Sequence, residues 1–322
     1  MKREAVVFSV ILFCIAISAV VLAADYPTRA ITLMVPSLAG GGTDVGARIL
    51  GSIAEKKMGQ PIVVVNKPGA GTQVGFTELA RQKPDGYYIG FVLLPAINTI
   101  ILDPERKASF DIDSFVPIIN QVLDPGLIWV RQDSPYKTLK DVLDDAKKRP
   151  GAVTASTTGI LSDDHLAILM MEEAAGVKFR IVHFDGGPQQ LNATLGGQVD
   201  VSFDNVGGVA TRIKGGMLRG LAVMYKERSK FTPDVPTTPE IGFPTVISSS
   251  TRGVMGPKGI PAPIVDKIQE VFLEAMKSQD HMEKMDKAGL GVKPMLSDEY
   301  ARYFRDMHEK CKPLVETARK AR

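Results

Sequence analysis

Hydrophobic residues along this chain fall into three patterns: one long apolar run at the start, short apolar runs of strand length, and stretches repeating at helical spacing. The first is an uncharged run from Ala5 to Val20, preceded by Lys2 and Arg3 and followed by the small-residue exit Val21-Leu22-Ala23-Ala24-Asp25. That layout predicts a secretory leader, Met1 to Ala23, with Val21 and Ala23 at the small positions that direct cleavage after Ala23. Read from Ala5 to Ala24, the run approaches the ~20 residues a membrane span requires, so a retained anchor is the alternative; on either reading the rest of the chain is exported. Phe13 stands where lipid modification of Cys14 would call for a small residue, so lipidation is not expected.

Beyond the leader, short strands and helices alternate. Ile31 to Pro36 reads as an apolar strand; Val45, Ile49, Ile53 and Met58 then recur at nearly helical spacing until Gly59, and Pro61 to Asn66 forms the next strand. This is a βαβ unit. The unbroken run Ile62-Val63-Val64-Val65 predicts a parallel strand buried on both faces. The alternation continues with a helix over Thr72 to Gln82, the turn Pro84-Asp85-Gly86 and a strand from Tyr88 to Leu94. Further strands are expected at Leu127 to Val130, Ala152 to Ser156, Phe179 to Phe184, Val199 to Phe203 and Leu218 to Met224. A charged amphipathic helix begins near Ser134 to Asp141, an apolar one runs from Leu166 to Ala175 before Gly176, and long helices cover Ile264 to Lys277 and Asp298 to Arg319. Pro233, Pro236, Pro239 and Pro244 read as a surface loop leading back to the first half of the fold. The sum is an α/β fold.

Composition narrows the field more than it identifies anything. Removing the leader takes away Lys2 and Arg3 against Glu4, and the formal net charge falls from +3 to +2. No basic cluster with interleaved aromatics is present, which excludes a nucleic-acid surface. Of two cysteines only Cys311 survives processing, so no disulfide is expected and stability must come from packing. A single core stops growing near ~250 to 300 residues, so a mature chain of this size predicts two lobes.

The most informative segment is Ser37-Leu38-Ala39-Gly40-Gly41-Gly42-Thr43-Asp44, a glycine-rich turn between a strand and a helix. Such a turn presents backbone N–H groups at a helix N-terminus and suits an anion, while Thr43 or Asp44 can cap the helix; a plain structural turn is the alternative. It has neither the Lys-Ser or Lys-Thr of a P-loop nor the spacing of a dinucleotide fingerprint. Ser37 lacks the Gly-x-Ser-x-Gly setting of a nucleophile, and His165 and His183 lack metal-ligand spacing, so neither catalysis nor a metal is expected. Gln73 and Asn98 stand near the carboxyl ends of their strands, where open α/β sheets place ligands.

Several segments in register resemble the Bug family of tripartite tricarboxylate transporter receptors: Tyr26-Pro27, Val35 to Asp44, Gly59 to Gly71, Pro84 to Tyr87, Phe184 to Gly187, Leu195 to Asp200, Arg219 to Val223 and Pro233 to Thr237. The resemblance spans essentially the mature chain. It implies a two-lobed periplasmic binding protein fold (type II-like), with residues 24–125 and 226–322 in lobe 1, residues 126–225 in lobe 2, and a cleft between them. It implies a monomeric periplasmic receptor that takes a small carboxylate and delivers it to a membrane permease, with no cofactor and no chemistry. An exported hydrolase and a ligand-sensing partner of a membrane signalling protein are the alternatives. The loop residues Ser37, Leu38, Ala39, Gly40, Gly41, Thr43 and Asp44 would receive one end of the ligand. From the other lobe, Thr157, Thr158, Gly159 and Ser162 match the family's small-polar segment before His165-Leu166, and Asp204 and Asn205 would also face the cleft.

Asp163, Asp164 and Asp204 place negative charge near an expected anion. The simpler reading has Asp163 or Asp164 capping its helix; the functional one has an acid recognising an amine or hydroxyl, which would favour an amino or hydroxy acid. The candidate loops hold no arginine, so carboxylate recognition is expected to rest on amides, hydroxyls and helix dipoles.

Overall fold

The computed structural model describes residues 26–320; the expected leader and its cleavage point after Ala23 lie outside the described residues. Two sheets are built around one shared strand. The first sheet contains β1 (Ile31–Val35), β2 (Ile62–Asn66), β3 (Tyr88–Leu94), the first part of β4 (Phe115–Arg131), and, from much later in the chain, β9 (Ser249–Pro257) and β10 (Val292–Leu296). The second contains β5 (Thr154–Thr157), β6 (Arg180–His183), β7 (Val201–Asn205) and β8 (Leu218–Met224). Strand β4 belongs to both: Phe115 to Pro125 pair with β9, and Gly126 to Arg131 pair with β8, with β7 on the other side.

The expected βαβ unit is present. β1 pairs in parallel with β2 (Ile31 opposite Ile62) and with β3, and helix α1 (Gly42–Met58) makes the crossover, ended by Gly59 in the left-handed conformation at φ 74°. Successive residues of β1 serve two cores. Ile31, Leu33 and Val35 pack with Leu50 and Ile53 of α1 and with Ile268 and Phe272 of the later helix Ala262–Lys277, while Met34 packs oppositely with Phe76, Leu79 and Tyr300. Burial on both faces explains why β1 carries no polar alternation. β2 differs: it is the edge strand, so Val63 is 48% exposed rather than buried as its apolar run suggests.

Helix α2 (Gln73–Ala80) follows β2, and α3 (Ala96–Leu102) follows β3. In the second lobe α4 (Leu139–Lys148) starts at a capping box: Thr138 Oγ1 accepts from the Asp141 amide at 3.2 Å, and Asp141 Oδ2 accepts from the Thr138 amide at 2.8 Å. Helices α5 (Asp163–Ala175), α6 (Gly187–Leu195) and α7 (Val206–Lys214) cover this sheet. Ile128 and Val130 face the core shared with α4 and α5, whereas Leu127 and Trp129 face that of α6 and α7.

The proline-bearing segment does not run as a surface loop to the first lobe. Val235 and Val246 are buried in the cores of the second lobe, the Thr238 amide donates to the Val223 carbonyl at 2.9 Å, and Ser249 is where the chain joins β9. The first lobe is completed by α8 (Ala262–Lys277), α9 (Gln279–Lys287) and α10 (Ser297–Lys320). The last turns of α10 reach the other lobe, where Val315 and Ala318 pack on Leu166 and Leu169.

Gly253 of β9 lies against a fully buried aromatic, since a Cβ there would sit 2.6 Å from Tyr300 Oη. Gly253→Ala is therefore expected to destabilise the protein by about 1–3 kcal/mol through overpacking, as read by urea denaturation.

Candidate ligand-binding cleft

A cavity of about 430 Å³ lies where the two lobes face each other. Its first wall is the glycine turn between β1 and α1, where Ser37, Leu38, Gly40, Gly41, Gly42 and Thr43 line the space. Asp44 does not line it; its buried carboxylate shapes the turn. Oδ2 accepts from the Gly40 amide at 2.9 Å and Arg48 Nε at 3.1 Å, and Oδ1 accepts from Asn66 Nδ2 at 2.9 Å. Burial works to raise this carboxyl, but the bonds from Arg48, Gly40 and Asn66 outweigh it and hold it below the ordinary aspartate value. The Gly40 amide is thus engaged, and Gly40 itself needs glycine's freedom at φ 81°. The donors left for a ligand are the first-turn amides of α1, which have no intrahelical acceptor. Ser37 Oγ is buried in this wall with no hydrogen-bond partner among the described residues.

The facing wall is built from helix starts. Gly186, Gly187 and Pro188 bring the N-terminus of α6 to the cavity, Gly207 and Gly208 bring that of α7, and Asp163 opens α5. Together with α1, four helix N-termini converge on one space. Each carries roughly half a positive charge, so the site has an anion-attracting field before any side chain is counted.

Four carboxylates stand in that field. Ser162, not either aspartate, caps α5, accepting from the His165 amide at 3.3 Å. Asp163 Oδ2 accepts instead from Asn205 Nδ2 at 2.7 Å, and Asp164 Oδ2 from the amide and hydroxyl of Thr158 at 3.0 and 2.5 Å. Asp204 Oδ1 accepts from the Asn205 amide at 2.7 Å, and Asp124 Oδ1 from the Gly207 amide at 2.9 Å. Burial pushes Asp163 up, against Asn205 and Arg252; it pushes Asp164 well up, with Asp163 and Asp204 adding to the effect. Burial also lifts Asp204 to about 7, with the Asn205 amide opposing it and Asp124 reinforcing it.

The cation among them is Arg252, from the middle of β9. Its Nη2 donates to Asp124 Oδ2 at 2.7 Å and more weakly to Asn205 Oδ1 at 3.4 Å. Its Nε and Nη1 have no partner among the described residues, although the side chain is only 8% exposed. Nη1 lies 2.9 Å from the position a Cβ on Gly42 would take, so this unused donor sits directly beside the glycine turn. The expectation of a cleft without arginine came from inspecting loops; this arginine arrives on a strand. Its signal in the sequence is that it is the sole charge between Glu240 and Lys258.

Of the residues singled out from the sequence, Ser37, Leu38, Gly40, Gly41, Thr43, Thr158, Asp204 and Asn205 line the cavity. Ala39, Asp44, Gln73, Asn98, Thr157, Gly159 and Ser162 are not among the lining residues. Gln73 Nε2 bonds the Arg106 carbonyl at 2.8 Å, in a shallow groove on α2, and buried Asn98 donates to the Phe304 carbonyl at 3.2 Å. Thr157 Oγ1 shares a 2.8 Å bond with His183 Nδ1, whose ring meets that of His165 edge-on at 4.7 Å. Among the lining residues that the candidate set lacked are Gly42, Asp163, the α6 start, Gly207 and Gly208 of α7, Arg212 and Arg252.

Comparison with known proteins agrees with this architecture. Residues 47–319 match the profile of the tripartite tricarboxylate transporter family receptor. Protein BugT of Bordetella pertussis is 31% identical over 308 residues, covering 92% of this chain and 91% of its own. Among solved structures, an R. palustris protein with adipate is 25% identical with a TM-score of 0.85 over 91% of this chain and 98% of its own. MatC from Rhodopseudomonas palustris with bound malate is 26% identical with a TM-score of 0.83 over 90% of this chain and 100% of its own. The chain belongs to the tripartite tricarboxylate transporter receptor family, as a two-lobed solute-binding protein related to the Bug proteins.

Proposed function

We propose that this protein is exported by its leader to the periplasm and there, as a monomer, captures one small organic carboxylate for delivery to a tripartite tricarboxylate transporter permease. The chain enters the second lobe near Gly126 and returns through β9, so β4 and β9 are the crossings about which the lobes close. A ligand touching both walls favours the closed form to the extent that it binds that form more tightly. One observation carries the carboxylate reading: the unpartnered Nη1 of buried Arg252 stands beside Gly42, in the first turn of α1. Unused guanidinium N–H donors and backbone amides together make a carboxylate seat. The malate and adipate held by the two relatives above support the same class.

The test is a thermal-shift screen of refolded residues 24–322 against organic acids, amino acids, sugars and metals; refolding removes any copurified ligand. A carboxylate at ~100 times its dissociation constant should add about 2.7 kcal/mol of stability. A response confined to sugars or metals would overturn the reading. Gly42→Ala, whose Cβ would enter the space of Arg252 Nη1, should weaken the response to the best acid by about 10-fold or more in dissociation constant, about 1.4 kcal/mol.

A further inference from the structure

We propose that the cleft takes up a proton together with its carboxylate ligand, the ligand accepting a hydrogen bond from the protonated carboxyl of Asp204. This rests on the receptor reading and adds a second, linked occupant to the same site.

The fold gathers acids where the ligand's charge has to sit, and Asn205 ties them together. Its amide donates to Asp204 Oδ1 and its Nδ2 to Asp163 Oδ2, both at 2.7 Å, while its Oδ1 accepts from Arg252 Nη2 at 3.4 Å. Arg252 is also paired with Asp124. Asp124 Oδ2 lies 2.6 Å from the place of a Cβ on Gly207 and Asp204 Oδ2 lies 3.0 Å from that of a Cβ on Gly208, so two successive glycines at the α7 start make room for two carboxylates. Asp204 lines the cavity, and its Oδ2 has no hydrogen-bond partner among the described residues. Ionised, Asp124, Asp163 and Asp204 set three negative charges around one guanidinium, and a ligand carboxylate at Arg252 Nη1 makes a fourth. Nothing else facing them offsets it. Among the described residues the charged ones lining the cavity are Asp163, Asp204, Arg212 and Arg252, and Arg212 of α7 turns its Nη1 to the Gly208 carbonyl at 3.2 Å. Asp164 of α5 adds to the excess, while His165 and His183 meet each other edge-on and are not among the lining residues.

A proton on Asp204 removes the conflict and supplies a donor. Solvent gives up the proton, an O–H bond forms at Oδ2, and that hydroxyl donates to an oxygen of the ligand carboxylate, so the two acids share one negative charge instead of carrying two. Arg252 is an independent pointer that an acceptor enters this space, because its buried Nε and Nη1 have no acceptor among the described residues. Burial already holds the Asp204 carboxyl at about 7, with Asp124 and Asp163 raising it against the Asn205 amide and Arg252. An anion seated beside it raises it further. Above pH 7 the free protein has therefore released a proton that the complex keeps, and proton and ligand tighten each other's binding by the same factor.

The experiment titrates the refolded chain calorimetrically with malate, succinate, adipate, propionate and benzoate at pH 6.5, 7.5 and 8.5, in pairs of buffers that differ in heat of ionisation. Carboxyls of this kind titrate well below that range, so any proton taken up goes to the protein. For the tightest of the five, the expected result is an uptake of more than about half a proton per ligand at pH 7.5 and 8.5, and an affinity that falls by about 5- to 10-fold between them. Asp204→Asn puts an amide donor where the acid O–H would stand. The variant should bind at pH 8.5 at least about 5-fold more tightly than the native chain, with no proton uptake and a flat pH profile, a gain that lost structure would not produce. Uptake near zero with a flat native profile would overturn the proposal and leave the receptor reading standing, and this arm needs no variant to fold. An Asp204→Asn chain that keeps the native slope would also overturn it, because the proton would then sit elsewhere. If none of the five acids binds at pH 6.5, both readings fall.

Discussion

Arg252→Met should lower the stability of the ligand-free protein by about 3–5 kcal/mol and abolish carboxylate binding, measured by urea denaturation and calorimetry respectively. The stability loss follows from what remains. Asp124 is 1% exposed, and with its 2.7 Å partner removed it keeps only the Gly207 amide as a donor to its carboxylate. A buried carboxylate without its cation must either protonate or admit water, and both cost free energy. The double variant Arg252→Met with Asp124→Asn should recover most of the loss, since replacing both partners removes the unpaired charge. Binding should not recover in the double variant, because Nε and Nη1 are gone from beside Gly42. A double variant as unstable as the single one would show that Arg252 acts through packing.

The ligand-free protein should also lose stability as pH rises from about 4 to about 7, the reverse of the usual carboxylate behaviour. Asp204 titrates near 7 in the folded chain, above the ~3.9 of an exposed aspartate. Between those values the folded state holds a proton that the unfolded state has released, so folding is favoured by acid there. Each pH unit upward then costs up to about 1.4 kcal/mol until the folded value is passed. Asp163 and Asp164, raised by the same burial, act in the same direction. His281, lowered by burial to about 4, and His308, lowered likewise, act oppositely between about pH 4 and 6.5, so the three raised aspartates set the net sign; Asp44, held low, acts oppositely only as pH falls below the usual aspartate range. Melting temperatures at pH 5 and pH 7.5 check the sign, and Asp204→Asn should flatten the slope and raise stability at pH 7.5. A melting temperature that rises with pH over this window would contradict the account.

Much of this was legible where the chain is locally self-consistent. The β1 to α1 turn, Gly59 and Gly176 as helix ends, and the start of α4 within Ser134 to Asp141 depend on neighbours within a few residues, and the structure forms each where the pattern predicts. The start of β4 and all of β9 were not legible because their partners are remote: Asp124 lies opposite Ser250. Their buried polar residues also hide the strand pattern. Asn120 Nδ2 donates to the Val122 and Lys293 carbonyls and Gln121 Nε2 to the Gly46 carbonyl, so their amide donors pair inside the protein and not with the solvent that their type suggests. The same remoteness hid the site's arginine. Being the sole charge between Glu240 and Lys258 sets Arg252 apart but does not place it; it becomes a cleft residue because β9 lies between β3 and β4 and carries it to Asp124. For the aspartates, type and position were readable but roles were not, since Asn205 and Thr158, which hold Asp163 and Asp164, are known as partners only once α5 meets β5 and β7.

The most direct test of the central claim is a calorimetric titration of the refolded chain, and of Arg252→Met alongside it, with the organic or amino acid that gives the largest thermal shift. The account predicts one ligand per chain for the native sequence and a loss of at least about 100-fold in affinity for the variant, about 2.7 kcal/mol. Equal affinities would place the acid outside the cleft between the lobes and contradict the account.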